Sequence, residues 1–151
     1  MASLRDRQLA ACVMNESEQA QARAKIRHLQ SVYNSAGDRG KIDEVVAVFA
    51  EDGVLEIPNA IHRGQQAIAG FLSGVAATGS DGIDLRGSRH HLTTSRVEFT
   101  DAGNAQGWTY FFVMRAGQVI QEGSYVDRFV REAAGWRIAH RRVKLLWTLG
   151  D

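Results

Sequence analysis

From Arg89 to Trp147 the chain reads as four successive strands, and this run constrains the fold more than any other feature. Apolar and polar residues alternate over Arg89 to Thr100, Ala105 to Arg115, Val119 to Arg131 and Trp136 to Trp147. Between them stand Asp101-Ala102-Gly103-Asn104, Ala116-Gly117 and Ala133-Ala134-Gly135, all turn sequences. Connections this short join strands running in opposite directions, so the C-terminal part is predicted to be an antiparallel meander.

The upstream part is helical in period. Asn15 and Glu18 have the spacing of a capping box, and Ala22, Ile26, Leu29 and Tyr33 then recur on one helical stripe. Gly37 is the expected stop, which leaves Asp38 in the exit turn. A second helix is expected from about Lys41 to Ala50, ended by Asp52-Gly53. Val54 to Ile57 reads as a short strand closed by Pro58, with Ala60 to Arg63 as its return. Gly64 opens a third helix, Gln65 to about Val75, with Ile68, Phe71, Leu72 and Val75 inward, and Thr78 to Gly87 is a loop. Helices first and strands last give an α+β class. The expectation is a curved antiparallel sheet forming a cone, with three N-terminal helices across its mouth and a pocket at the open end.

Composition bounds the partners. The chain of 151 residues is 44% hydrophobic, and a domain of that length buries roughly two-thirds of its unfolded surface. Eighteen basic and seventeen acidic residues, with no basic run, favour neither nucleic acid nor an anionic membrane. Residues 1–14 read as an N-terminal arm and 15–151 as a single domain. The apolar patch Leu9 to Met14 is too short for a signal peptide or a membrane span. Cys12, the only cysteine, excludes an internal disulfide framework and a thiolate metal cluster, and a reducing cytoplasm fits. There is no glycine-rich phosphate loop and no Gly-x-Ser-x-Gly elbow. His28, His62 and His140 lack paired carboxylates at metal spacing. No cofactor and no metal are expected.

The chemistry lies at Arg89-His90-His91. Successive strand residues face opposite ways, so one of the two histidines points inward. Strict alternation groups His91 with Val97 and Phe99, whereas a β-bulge near Thr94-Ser95 would swap the faces and bring His90 in. Asp38 is the candidate partner. A histidine whose tautomer a carboxylate fixes can remove a proton from carbon; its plain alternative is a structural histidine on a backbone carbonyl. Tyr33 is either a hydroxyl donor to a developing oxyanion or a core aromatic. Ile57, Phe71, Trp108, Tyr110, Phe112 and Tyr125 are the expected pocket wall. Tyr125 and Asp127 share a strand face, and Asp127 is expected to pair with Arg141 or Arg142.

These elements together resemble the SnoaL-like branch of the nuclear transport factor 2-like superfamily. The resemblance rests on Tyr33…Gly37-Asp38, Val48-Phe49-Ala50-Glu51-Asp52-Gly53, Arg63-Gly64, Arg89-His90, Gly123-Ser124-Tyr125-Val126-Asp127, Gly135-Trp136-Arg137-Ile138 and Arg141, and it covers about Ser17 to Trp147. Its implication is a cone with a pocket. Within the branch, the scytalone and bile-acid dehydratases and a dehydrochlorinase pair a pocket histidine with an aspartate at the exit of the first helix. By position His90 matches that histidine, Asp38 its partner and Tyr33 a pocket tyrosine, with His91 in reserve. The chain departs from those dehydratases at Ile57, where they carry a second tyrosine, and in having no further histidine over Ala105 to Arg115.

The reading is a cofactor-independent, dehydratase-like lyase or isomerase acting on a small, mostly apolar cyclic, polyketide-like or steroid-like molecule. The alternatives are a non-catalytic binding module with the same cone and a dioxygenase small subunit. The outward sheet face, with Trp136, Ile138 and Val143, predicts a homo-oligomer, dimer or trimer.

Overall fold

The computed structural model describes residues 14–79 and 83–150. The predicted arm up to residue 13, with Cys12, lies outside the described residues. The first helix, α1 (Glu16–Gly37), begins at the expected box: Glu18 N–H donates to Asn15 Oδ1 at 2.9 Å and Asn15 N–H to Glu18 Oε2 at 2.8 Å. Ala22, Ile26 and Leu29 are buried along its stripe. Its end differs in detail from expectation. Gly37 is still helical, Asp38 is the C-cap, and the left-handed residue that turns the chain is Gly40, at φ +68°.

The next helix, α2 (Ile42–Val46), is short because Phe49 already belongs to β1 (Phe49–Ile57). The apolar run from Val45 to Ala50 suits either period, and pairing of Phe49 with Ile138 decides it for strand. Gly53 ends no helix. It lies where the register shifts between Phe49 and Val54, and a Cβ there would stand 2.8 Å from the Ala50 carbonyl oxygen. The expected return strand is β2 (Ala60–Arg63), antiparallel to β1, and α3 (Gln65–Thr78) follows. The meander is β3 (Arg89–Asp101), β4 (Asn104–Arg115), β5 (Gln118–Glu132) and β6 (Gly135–Thr148).

The six strands are ordered β2-β1-β6-β5-β4-β3. All neighbours are antiparallel except β1 and β6, which run parallel with Leu55 opposite Arg141, so the sheet is mixed. It is curved but unclosed, with β2 and β3 at the two edges and the helices on one side. The larger core joins α1, β1, α3 and the ends of β5 and β6 through Ile26, Phe49, Ile68, Phe129 and Ile138. A smaller cluster of Phe111, Val113, Ile120 and Tyr125 stands apart from it, and a cavity lies beside that cluster.

Two expectations about faces are corrected. Trp136 and Ile138 are buried at 4% and 0% exposure and Val143 packs against both core clusters, so none of them forms the outward surface. That surface carries Trp108, Tyr110, Leu146 and Trp147, exposed by 38%, 58%, 77% and 39%. On β4 the helix-facing residues are Ala105, Gly107, Thr109, Phe111 and Val113. Both faces of β4 are largely apolar, so alternation alone could not assign them. What decides is space. Gln30 of α1 donates to Thr109 Oγ1 at 2.7 Å, and a Cβ on Gly107 would come within 2.8 Å of the Phe129 ring. Only small residues leave room there for Gln30 and the Phe129 ring, which turns the large aromatics out.

Candidate functional site

Asp38 and His90 are 52 positions apart in sequence, and the fold brings them together. Asp38 projects from the C-cap of α1 toward the start of β3. Its Oδ2 accepts the backbone N–H of His90 at 2.9 Å, and its Oδ1 faces His90 Nδ1 at 2.6 Å. A carboxylate only accepts, so Nδ1 is the donor in this contact and Nε2 is the ring nitrogen left for a substrate. The side chains are 6% and 20% exposed for Asp38 and His90.

The strand register explains why His90, not His91, is on the helix side. Leu92 pairs with Phe111 but Ser95 pairs with Thr109, so one extra residue is inserted between them. This bulge lets His90 and Leu92 share a face with Val97 and Phe99 despite their odd spacing. His91 points the other way, exposed, and stacks on Phe112 at 4.9 Å between ring centres.

Asp38 and His90 line a cavity of about 370 Å³. Its walls are mostly apolar, with Ile57, Phe71, Leu72, Val75, Leu85, Phe111 and Val143, and the exposed Arg39, Pro58 and Arg86 mark its mouth. Of the predicted wall, Ile57, Phe71 and Tyr125 line the cavity. Trp108, Tyr110 and Phe112 do not. They lie on the outward face of β4 for the steric reason given above.

Tyr33 lines the cavity beside a buried charge. Arg141 and Asp127 form a two-pronged pair, Nε to Oδ1 at 2.9 Å and Nη2 to Oδ2 at 2.7 Å, with both side chains 0% exposed. Arg142 instead pairs with Glu56 at 3.1 Å. The Arg141 guanidinium lies 4.2 Å from the Tyr33 ring centre and 4.0 Å from that of Tyr125. Burial works against its charge, but the Asp127 carboxylate more than offsets this and holds Arg141 above its ordinary value. Burial also raises the Tyr33 phenol, with Arg141 pulling the other way, and raises Tyr125 well above its usual range. Both tyrosines therefore stay protonated near neutral pH and can donate. Tyr125 donates to Asn34 Oδ1 at 3.0 Å.

Asn34, Ser88 and Gln121 also line the cavity and carried no signal in sequence. Each is a polar residue in a position where a solvent-facing side chain reads equally well. The other histidines are apart from this group. His28 is exposed, His62 stacks on Phe71 at 4.3 Å, and His140 Nε2 meets Glu56 at 3.0 Å.

Residues 18–142 match the family model of the SnoaL-like domain, a span that runs from the first turns of α1 into β6 and includes Asp38, His90 and Arg141. The chain belongs to the SnoaL-like domain family. No curated protein matches it. Among solved structures, this SnoaL-like chain is similar to an NTF2-like protein with a cystatin-like fold from Novosphingobium aromaticivorans, at 25% identity and TM-score 0.74, covering 100% of this chain and 94% of the other. It is similar to a candidate scytalone dehydratase from the same organism, at 19% identity and TM-score 0.77, over 91% and 92% of the two chains. It is also similar to a LinA-type hexachlorocyclohexane dehydrochlorinase from Novosphingobium barchaimii, at 16% identity and TM-score 0.75, over 91% and 97%. These likenesses show the fold. Among the described residues, no helix of this SnoaL-like domain is long and apolar enough to cross a membrane.

Proposed function

We propose that the chain is a cofactor-independent lyase or isomerase of the dehydratase type, acting on a small, mostly apolar cyclic molecule. The observation that carries the reading is the contact of His90 Nδ1 with Asp38 Oδ1 at 2.6 Å on the wall of an apolar cavity. His90 Nε2 takes a proton from a carbon beside an activating carbonyl, and Asp38 stabilises the imidazolium that forms. Tyr33 donates its hydroxyl to the oxygen that gains charge, with the Arg141 cation against its ring. In a dehydration His90 returns the proton to the departing hydroxide, so a C–H and a C–OH become a double bond and water. The dehydratase and dehydrochlorinase among the similar folds support eliminations as the class to test first.

The test is a screen of hydroxylated cyclic ketones, steroids and terpenoids, with mass spectrometry to detect loss of water. Conversion should disappear in His90→Ala and in Asp38→Asn while both remain folded; full turnover in either variant would sink the mechanism. Ile57 favours one rival, a non-catalytic binding module, because it lines the cavity where a polarising hydroxyl would be useful. Binding of many compounds with conversion of none would favour that rival.

The reading includes a homo-oligomer in the cytoplasm. Trp108, Tyr110, Leu146 and Trp147 on the outward sheet face support association, since large exposed apolar groups cluster there. Light scattering at micromolar concentration should give a mass above the 16.6 kDa of one chain; a monomer alone would refute it.

A further inference from the structure

The cavity holds a polar group that the proton-transfer scheme does not use. Gln121, on β5, lines it, is only 5% exposed, and its carboxamide has no hydrogen-bond partner among the described residues. A second amide on the wall is half-satisfied. Asn34 is 6% exposed, its Oδ1 accepts the Tyr125 hydroxyl, and its Nδ2 is buried without a partner. Apart from the Tyr33 hydroxyl and His90 Nε2, which the proton-transfer scheme uses, polar groups of the cavity wall are engaged: His90 Nδ1 with Asp38, Ser88 Oγ with the Leu85 carbonyl at 2.6 Å, and the Tyr125 hydroxyl with Asn34. A buried amide group without a partner, such as Asn34 Nδ2, is costly, and a ligand that pairs it recovers that cost.

The position of Gln121 fixes where such a ligand group lies. His90 pairs with Val113 across β3 and β4, and Val113 pairs with Gln121 across β4 and β5. His90 and Gln121 therefore stand in one row of the sheet, two strand spacings or about 10 Å apart at their Cα atoms. A ligand whose acidic C–H meets His90 has its other end at Gln121. We propose that the Gln121 carboxamide is a binding site for a ligand oxygen remote from the reacting carbon. The ligand is thus a cyclic ketone or alcohol rather than a hydrocarbon or a halogenated hydrocarbon. A carbonyl there accepts from Gln121 Nε2, and a hydroxyl there donates to Gln121 Oε1. The buried Asn34 Nδ2 adds a second donor and reinforces the demand for an oxygen acceptor. As an account of substrate class this rests on the lyase or isomerase reading; as a binding site it does not depend on turnover.

The probes are 2-tetralone and tetralin, a bicyclic ketone and the hydrocarbon of the same shape, titrated against the whole protein by calorimetry or fluorescence. Wild type should bind the ketone about five- to tenfold more tightly. Gln121→Leu should bring the two within about twofold, with tetralin affinity held or raised, and circular dichroism should show a native fold. Gln121→Met serves as the second variant if the leucine protein does not fold. Equal affinities in wild type, no binding of either probe, or an unchanged ratio in a folded Gln121 variant would overturn the proposal. Because affinity is the readout, an active His90→Ala protein would end the catalytic reading while leaving the ketone preference measurable.

Discussion

Asp38 holds His90 at two points, the ring Nδ1 at 2.6 Å and the backbone N–H at 2.9 Å, so one carboxylate fixes both the tautomer of the imidazole and the start of β3. Replacing it separates the two roles. In Asp38→Asn the side chain keeps its size, but its N–H₂ group can donate to Nδ1 and leave the proton on Nε2, the wrong tautomer for a base. Turnover in this variant should fall by about 10²- to 10⁴-fold, as in His90→Ala. Asp38→Ala also leaves the His90 backbone N–H unpaired in a half-buried place and should cost a further 1–3 kcal/mol or so of folding stability. Denaturant titration beside a turnover assay checks both numbers. An Asp38→Asn protein with normal stability and normal rate would show that the contact is structural only.

The pair Arg141–Asp127 is the heaviest electrostatic commitment in the fold, because neither side chain touches solvent. Removing one partner strands a buried charge, and Asp127→Asn or Arg141→Met should each destabilise by about 3–5 kcal/mol. The double variant should cost clearly less than the sum, since it strands no charge. A double-mutant cycle by urea unfolding measures this coupling. Additive losses would mean that the two residues act independently.

Much of this architecture was legible in the sequence, and the places where it was not share a cause. The capping box, the helix order, the return strand at Ala60 to Arg63 and Asp38 in the exit turn all follow from local chemistry. The parallel pairing of β1 with β6 does not, since it joins Leu55 to Arg141 with no local signal in either segment. Val48-Phe49-Ala50 lies in a run too short for its period to distinguish helix from strand. The inward face of β4 depends on the Phe129 ring lying over Gly107 and on Gln30 of α1 reaching Thr109. Within the site, Asp38, His90 and Tyr33 could be nominated because their residue types carry chemistry. Gln121 could not, because a glutamine beside Glu122 in an alternating run reads as solvent-facing; only its 5% exposure reveals it.

Two glycines in regular elements should respond oppositely to alanine. Gly70 sits inside α3, and a Cβ added to it would meet nothing within 4 Å, so Gly70→Ala should stabilise by about 0.5–1 kcal/mol through helix propensity and unfolded-state entropy. Gly123 lies where β5 and β6 shift register, and a Cβ there would stand 2.3 Å from the Lys144 carbonyl oxygen and 2.8 Å from Phe111 Cζ. Neither neighbour can yield cheaply, one being backbone and the other a core ring on the cavity wall. Gly123→Ala should cost about 3 kcal/mol or more. Thermal unfolding of the two variants beside wild type tests the contrast, and a neutral Gly123→Ala would mean that the β5–β6 bulge is looser than these distances imply.

At the cavity mouth Asp84 binds Arg86 three times: Oδ1 accepts Nε at 2.9 Å and the backbone N–H at 3.0 Å, and Oδ2 accepts Nη2 at 2.9 Å. The side-chain bonds from Arg86 lead in lowering the Asp84 carboxyl to about 2, with the backbone bond next. A folded-state value below the unfolded one, about 3.9, means that this turn gains from ionised Asp84 at every pH above about 4. The gain is lost as pH falls from about 4 through about 2, and nothing changes between pH 5 and 8. Both side chains are exposed, so the effect is local and screened by salt. Carboxyl carbon NMR should place the Asp84 midpoint near 2 in wild type. In Arg86→Ala it should move back toward 3.9, and loss of the guanidinium from the rim should leave the mouth wider. A midpoint near 3.9 in wild type would mean that the Asp84–Arg86 clasp is open in solution and sets no limit on entry to the cavity.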